Sequence, residues 1–293
     1  MAPLVGSGLW FGSTGNARGI FALGFDGSAY TPTTNIYTYA NNGVVTGTNL
    51  TANSNDGAAA GNSTLGIFAL GSGTTTTNIY TYANNGVVTG TSLTAGLYEG
   101  AATGNSTLGI FALGSETTTN IYTYANNGVV TGTNLTADSY EGAATGNSTL
   151  GIFALGYNGS ADTPTTNIYT YSSNGVVTGT SLTADLGYGA AAGNSILGIF
   201  ALGYNGSSVI PTTNIYTYSN NGVTTGTSLT ADSYEGAATG NSTLGIFAIG
   251  VNGSAYTPTT NVYTYSNNGV ATGTNLTADL TSGAAASSSP GGF

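Results

Sequence analysis

The sequence predicts an all-β fold, a six-bladed β-propeller of four-stranded antiparallel blades closed by a terminal strand, and three observations predict it. One block of residues recurs six times, each copy divides into four strand-like pieces, and the first piece of every copy is built from small residues. Composition agrees. β-branched and aromatic residues are plentiful while helix-forming charged stretches are missing, so no helix is expected.

The block G-I-F-A-L-G begins at Gly19, Gly66, Gly109, Gly151 and Gly198 and returns as G-I-F-A-I-G at Gly245, at intervals of 47, 43, 42, 47 and 47 residues. This is the second strand of each blade. In the copy at Gly66, Phe68 and Leu70 face one side and Ile67 and Ala69 the other, as a sheet held between two neighbours requires. Burying one Phe per blade contributes roughly 1.5–3 kcal/mol each, so the core is expected to be repeated around the ring.

The third strand is N-I-Y-T-Y, beginning at Asn35, Asn78, Asn120, Asn167 and Asn214, with Val for Ile at Asn261. Its two Tyr share a face and can pack between blades while their hydroxyls find a partner. An Asn-Gly turn such as Asn42-Gly43 leads into the outer strand, Val44-Val45-Thr46 in the first copy. The next copy opens on G-A-A, at Gly57, Gly100, Gly142, Gly189, Gly236 and Gly283. Six inner strands converge on a narrow axis, and only small side chains fit there.

These pieces resemble the Kelch family, whose repeat joins a small-residue inner strand, an aromatic-aliphatic strand ending in Gly, a Tyr-bearing strand and a fourth strand that usually bears Trp. Here one Gly stands at most blades where the family has two, and Val replaces Trp. The resemblance therefore implies the architecture and no functional subgroup.

Either Leu9-Trp10-Phe11-Gly12 or Gly283-Ala284-Ala285-Ala286 could supply the inner strand of the first blade, and the second matches the repeat better. The reading is a propeller over residues 15–286, a tail over 287–293, and an N-terminal arm or alternative closing strand over 1–14. In that arm Trp10 and Phe11 are candidate partner-binding residues.

The chain has 293 residues with eleven acids, one base (Arg18), no His and no Cys, for a net charge of −10. That balance repels phosphate backbones, so no nucleic-acid partner is expected. A disulfide framework is excluded. No apolar run reaches membrane-spanning length, and Met1-Ala2-Pro3-Leu4 lacks a basic n-region, so a soluble chain without membrane insertion or ordinary secretory export is expected.

In an up-and-down blade the loop between strands two and three and the loop between blades share one face. Asp26, Glu116 and Asp162 fall in the first kind, and Asp56, Glu99, Asp138, Glu141, Asp185, Asp232, Glu235 and Asp279 in the second. Arg18 falls on the opposite face. Eight Tyr join the acids, and Tyr98, Tyr140, Tyr157, Tyr188, Tyr204 and Tyr234 with Glu141 and Glu235 are the candidate ligand-binding residues. The connection after the second strand is short in blades 2 and 3, which predicts a notch in that rim.

Such a face suits sugars, which stack on aromatic rings and hydrogen-bond to polar side chains. A propeller must in any case put its few charges in loops, and N-x-S/T triplets such as that at Asn62 follow the repeat as turn chemistry. For calcium, Asp138 with Glu141 and Asp232 with Glu235 bring only two carboxylates per loop, so no metal and no cofactor are expected. Without His, Cys or Lys no nucleophile has a base and no anion a clamp, so enzymatic activity is not expected. Two functions follow as expectations. One is a structural or adhesive surface module (virion decoration, phage fibre component or bacterial surface protein) that meets protein subunits or cell-surface glycan. The other is a carbohydrate-binding, lectin-like propeller acting through the acidic, Tyr-rich face.

Overall fold

The computed structural model describes residues 17–253 and 255–289. They form six four-stranded antiparallel sheets with no helix among the described residues, and therefore none that could cross a membrane. The candidate arm over 1–14, with Trp10 and Phe11, lies outside the described residues. Blade 2 shows the plan: an inner strand Ala58–Gly61, then Leu65–Ala69, Thr77–Thr81 and an outer strand Gly86–Thr89, each paired with the next. The inner strand of blade 1 is Ala284–Ser287, which pairs with Arg18–Phe25 in the register Gly19 to Ser287 and Ala22 to Ala284. The end of the described chain thus closes the ring.

Alternation along the second strand builds one apolar cluster per blade interface. Phe68, Leu70, Tyr80 and Tyr82 of blade 2 pack against Ile20 and Ala22 of blade 1, while Ile67 and Ala69 meet Phe111 and Leu113 of blade 3. The glycine that opens each second strand makes room for the second Tyr of its own blade. A Cβ on Gly66 would lie 2.9 Å from the Tyr82 hydroxyl, which donates to the Ser287 carbonyl at 2.9 Å.

Polar clips join the blades outside these cores. The buried Asn of each N-I-Y-T-Y, such as Asn120, accepts from the Thr94 N–H of the preceding blade at 2.7 Å and donates to its Oγ1 at 2.8 Å. The same pair of bonds recurs at every interface, the closing one included, where Asn35 clips Thr277. Read from sequence as turn residues alone, the Asn of the Asn-Gly pairs also bridge blades: Asn127 Oδ1 accepts from Thr91 N–H at 3.0 Å. Between blades 1 and 2 that acceptor, Asn85, takes Arg18 Nη1 at 3.1 Å instead. The chain's one cation is thus a link on the far face.

The long connections are not loops, as the sequence suggested, but extensions of the hairpin. Second strands run on to Phe25, Tyr157, Tyr204 and Asn252 in blades 1, 4, 5 and 6, and stop at Ala69 and Ala112 in blades 2 and 3. A bulge at the terminal glycine lets the strand continue, as between Ala154 and Gly156. Gly156 has φ +69, and a Cβ there would lie 2.3 Å from the Tyr140 carbonyl. Asp162, placed by sequence in this connection, opens the third strand of blade 4.

Candidate functional site

The antiparallel order puts the interblade loops and the hairpin tips at one end of every blade. Innermost on this face, the residue before each G-A-A sits at the mouth of the axis: Asp56, Glu99, Glu141, Tyr188, Glu235 and Ser282 line one cavity of about 70 Å³. All six have positive φ, between 48° and 58°. For non-Gly residues this conformation costs about 1 kcal/mol or more each and persists only where the surroundings hold it. Here neighbouring blades hold it. The Glu141 N–H donates to the Glu99 carbonyl, Tyr188 to Glu141, Glu235 to Tyr188, Ser282 to Glu235 and Asp56 to Ser282, at 2.9–3.1 Å. These five bonds run most of the way around the axis.

Four carboxyls therefore share one partly desolvated mouth, and burial raises each above its usual range. Glu99 is pushed to about 7 by burial and then by the charge of Asp56, partly offset by the Tyr140 hydroxyl. Its Oε2 is buried without a hydrogen-bond partner. Since the ordinary Glu value is 4.5, the folded protein holds a proton that the unfolded chain has released between about pH 4.5 and 7. Stability contributed by this proton is present at low pH and lost as pH rises through that window. Discounted for the solvent reaching a half-buried group, the change is about 1–2 kcal/mol. Thermal unfolding is therefore expected at a higher temperature at pH 5 than at pH 8, with most of the difference removed in Glu99→Gln. An unchanged pH dependence in that variant would contradict the assignment. Asp26 runs the other way, held below its ordinary value by the N–H of Ala29 and by Ser28, so its contribution is lost only in stronger acid.

Outside the mouth, the step from the short hairpin of blade 3 to the tall hairpin of blade 4 opens a cavity of about 210 Å³ lined by Ser115, Asp138, Tyr140, Tyr157 and Gly159. Tyr140 and Tyr157 exchange backbone hydrogen bonds at 3.2 and 2.7 Å, which fixes both rings edge to face with centroids 6.4 Å apart. Tyr98 stacks on Tyr140 at 5.7 Å and 13°, with 41 % of its surface exposed. Asp138 lies over the bare backbone of Gly159, where a Cβ would be 2.9 Å from Oδ2. Asp185 and Asp279 lie in the same way over Gly206 and Gly27. These Asp therefore serve the tall hairpins, and blades 2 and 3 carry Asn53 and Gly96 at the matching position.

Of the predicted residues, Tyr98, Tyr140 and Tyr157 meet at this step with Asp138. Glu141, Tyr188 and Glu235 belong to the mouth, where Tyr234 packs on Tyr188 with centroids 4.6 Å apart. Burial holds Tyr234 up to about 12 and the Tyr188 hydroxyl higher still, so both stay protonated. Tyr204 does not join a cluster. Its backbone pairs with Gly187, which offers no ring where Tyr140 stands in blade 4. Asp232 shares its loop with Glu235, and among the described residues no three carboxylates are grouped to hold a metal ion.

Sequence reasoning missed a second exposed cluster. Phe25 lies 5.5 Å from Tyr30 and 5.1 Å from Tyr256, which are 51 % and 48 % exposed. Its signal was Phe25 standing where blades 4 and 5 have Tyr157 and Tyr204. No family model matches the chain, and no curated protein matches its sequence.

Proposed function

We propose that this chain is a Kelch-like, non-enzymatic surface module, of a virion or another extracellular assembly, that binds glycan at the step between blades 3 and 4. The Tyr98–Tyr140–Tyr157 cluster carries the reading. A sugar ring needs a flat aromatic face for its C–H surface and polar groups beside it for its hydroxyls, and the step sets Asp138 and Ser115 next to backbone-anchored rings. The Kelch part is supported by the Gly-ended second strand and the Tyr-bearing third strand. Absence of His, Cys and Lys from the sequence, with Arg18 on the far face, leaves the Ser, Thr and Tyr hydroxyls without an imidazole or amine base and a bound anion without a clamp. Contacts with other subunits suit the circumference, where Val45, Val88, Val130 and Val177 of the outer strands are 57–59 % exposed.

The test is a glycan array probed with the full chain, followed by Tyr140→Ala on the best ligand. Binding is expected to weaken about tenfold or more on loss of this ring, with the unfolding temperature within a few degrees of wild type. An array without hits, or a variant that binds as wild type does, removes the proposal.

A further inference from the structure

Resting on the glycan reading above, we propose that the corner formed by Tyr140, Tyr157 and Asp138 selects a sugar bearing a free, protonated amine. The two rings line the same cavity at an interplanar angle of 75°, walling it from two directions, and each ring carries an electron-rich face. A cation is drawn to such a face, most strongly where water is partly excluded. Asp138 adds a carboxylate to the wall. Its neighbours there are Ser115, two phenols and the bare backbone of Gly159, none of them cationic. Arg18, the chain's one cation, is held on the opposite face by Asn85 and the Tyr82 carbonyl.

Charge around the corner has one sign. Glu116 stands in the short hairpin of blade 3 beside Ser115, and Glu99 and Glu141 lie at the mouth beyond Tyr140. A uronate, sialic or sulfated sugar would be repelled by the ionised carboxylates among these, and an N-acetyl group would offer them no charge. The other tall blades keep the Asp and lose the corner, blade 6 by setting Val251 opposite Tyr234. Asp185 stands by Tyr204, which faces Gly187, and Asp279 by Phe25, which faces Thr281. The amine site is therefore specific to blade 4, where the hairpin before it is short.

The test is calorimetric titration of the full chain with three β-linked tetrasaccharides: fully N-acetylated, the same with a single free amine, and a uronate. Limiting the charge to one amine keeps general attraction to an acidic protein small. The amine form is expected to bind about tenfold tighter than the acetylated one, the uronate not measurably, and 0.5 M salt (roughly a 4 Å screening length) to narrow the gap. Asp138→Asn is expected to erase the preference while Asp279→Asn keeps it. Ser115→Lys, at an exposed position, places a cation in the cavity and is expected to erase it without touching the Asp138 contact with Gly159.

Equal affinity for the amine and acetyl forms overturns the inference, as does a preference that survives both Asp138→Asn and Ser115→Lys. If sugars bind through Tyr140 regardless of the amine, the inference fails and the glycan reading stands. If tetramethylammonium binds in an Asp138-dependent way and no tetrasaccharide does, the glycan reading fails, and the selection of sugar fails with it.

Discussion

Removing residues 284–293 is expected to open the ring and remove much of its stability. The inner strand Ala284–Ser287 pairs with Gly19–Ala22, and the Arg18 carbonyl accepts from the Ser288 N–H at 2.9 Å. It also fills two blade interfaces. Ala284 and Ala286 lie in the cluster with Phe68 and Tyr82, and Ala285 in the one with Phe21 and Ile246. Without the strand, blade 1 has a bare inner edge, the Tyr82 hydroxyl loses its acceptor at the Ser287 carbonyl, and blades 6 and 2 face a gap. Several buried groups lose partners together, so the loss is expected to exceed about 4–5 kcal/mol. Calorimetry of the truncated chain should show a broad, low-temperature transition or aggregation.

The control is a circular permutant of residues 17–289, joined end to end through a short linker and opened at the Asn174-Gly175 turn. It restores the strand by a different connection and is expected to melt within a few degrees of wild type. A truncated chain that melts as sharply as the full one would show that the ring does not depend on this strand.

Next in size is the effect of the buried asparagines. Asn167 is fully buried, accepts from the Thr136 N–H at 2.8 Å, and donates to Thr136 Oγ1 at 2.8 Å and to the Thr166 carbonyl at 3.0 Å. Asn167→Leu fills a similar volume and takes the acceptor from the Thr136 N–H between two blades, while the Thr166 carbonyl keeps the Gly179 N–H at 2.8 Å and the hydroxyl of the exposed Thr136 keeps water. At roughly 1–3 kcal/mol for a buried group left unmet, the loss is expected at about 2 kcal/mol. Urea denaturation should show a lower midpoint with an unchanged m-value. Asn35→Leu sits three blades away with no shared partner, so the two losses should add. A loss below about 1 kcal/mol would mean that the clip is not what joins the blades.

Much of the fold was legible. The period, the alternation in Ile67, Phe68, Ala69 and Leu70, and the small inner strand led to blades, faces and closure that the structure has. The hairpin extensions were not legible, because a glycine followed by Tyr-Asn-Gly reads as a turn. At Gly156 the positive φ makes a bulge instead, and pairing resumes at Tyr157. The candidate site was legible as a face and not as an arrangement. Its Tyr and acids could be assigned to loops, but Tyr98 and Tyr140 stand 42 residues apart and Tyr188 and Tyr234 stand 46 apart. Whether such rings meet depends on how consecutive blades are set against each other.

By itself the sequence determined six copies of one blade and the end of the ring that carries the charge, and it favoured residues 283–286 over 9–12 as the strand that completes the first blade. Those properties follow from local periodicity and side-chain size, which act within a single repeat. Only the tertiary structure decided that Glu99 shares a mouth with Asp56, Glu141 and Glu235, and that Tyr140 and Tyr157 make a corner beside Asp138. Both arrangements arise where different blades or their loops meet. Their geometry is set by ring closure and by backbone bonds between residues distant in the chain.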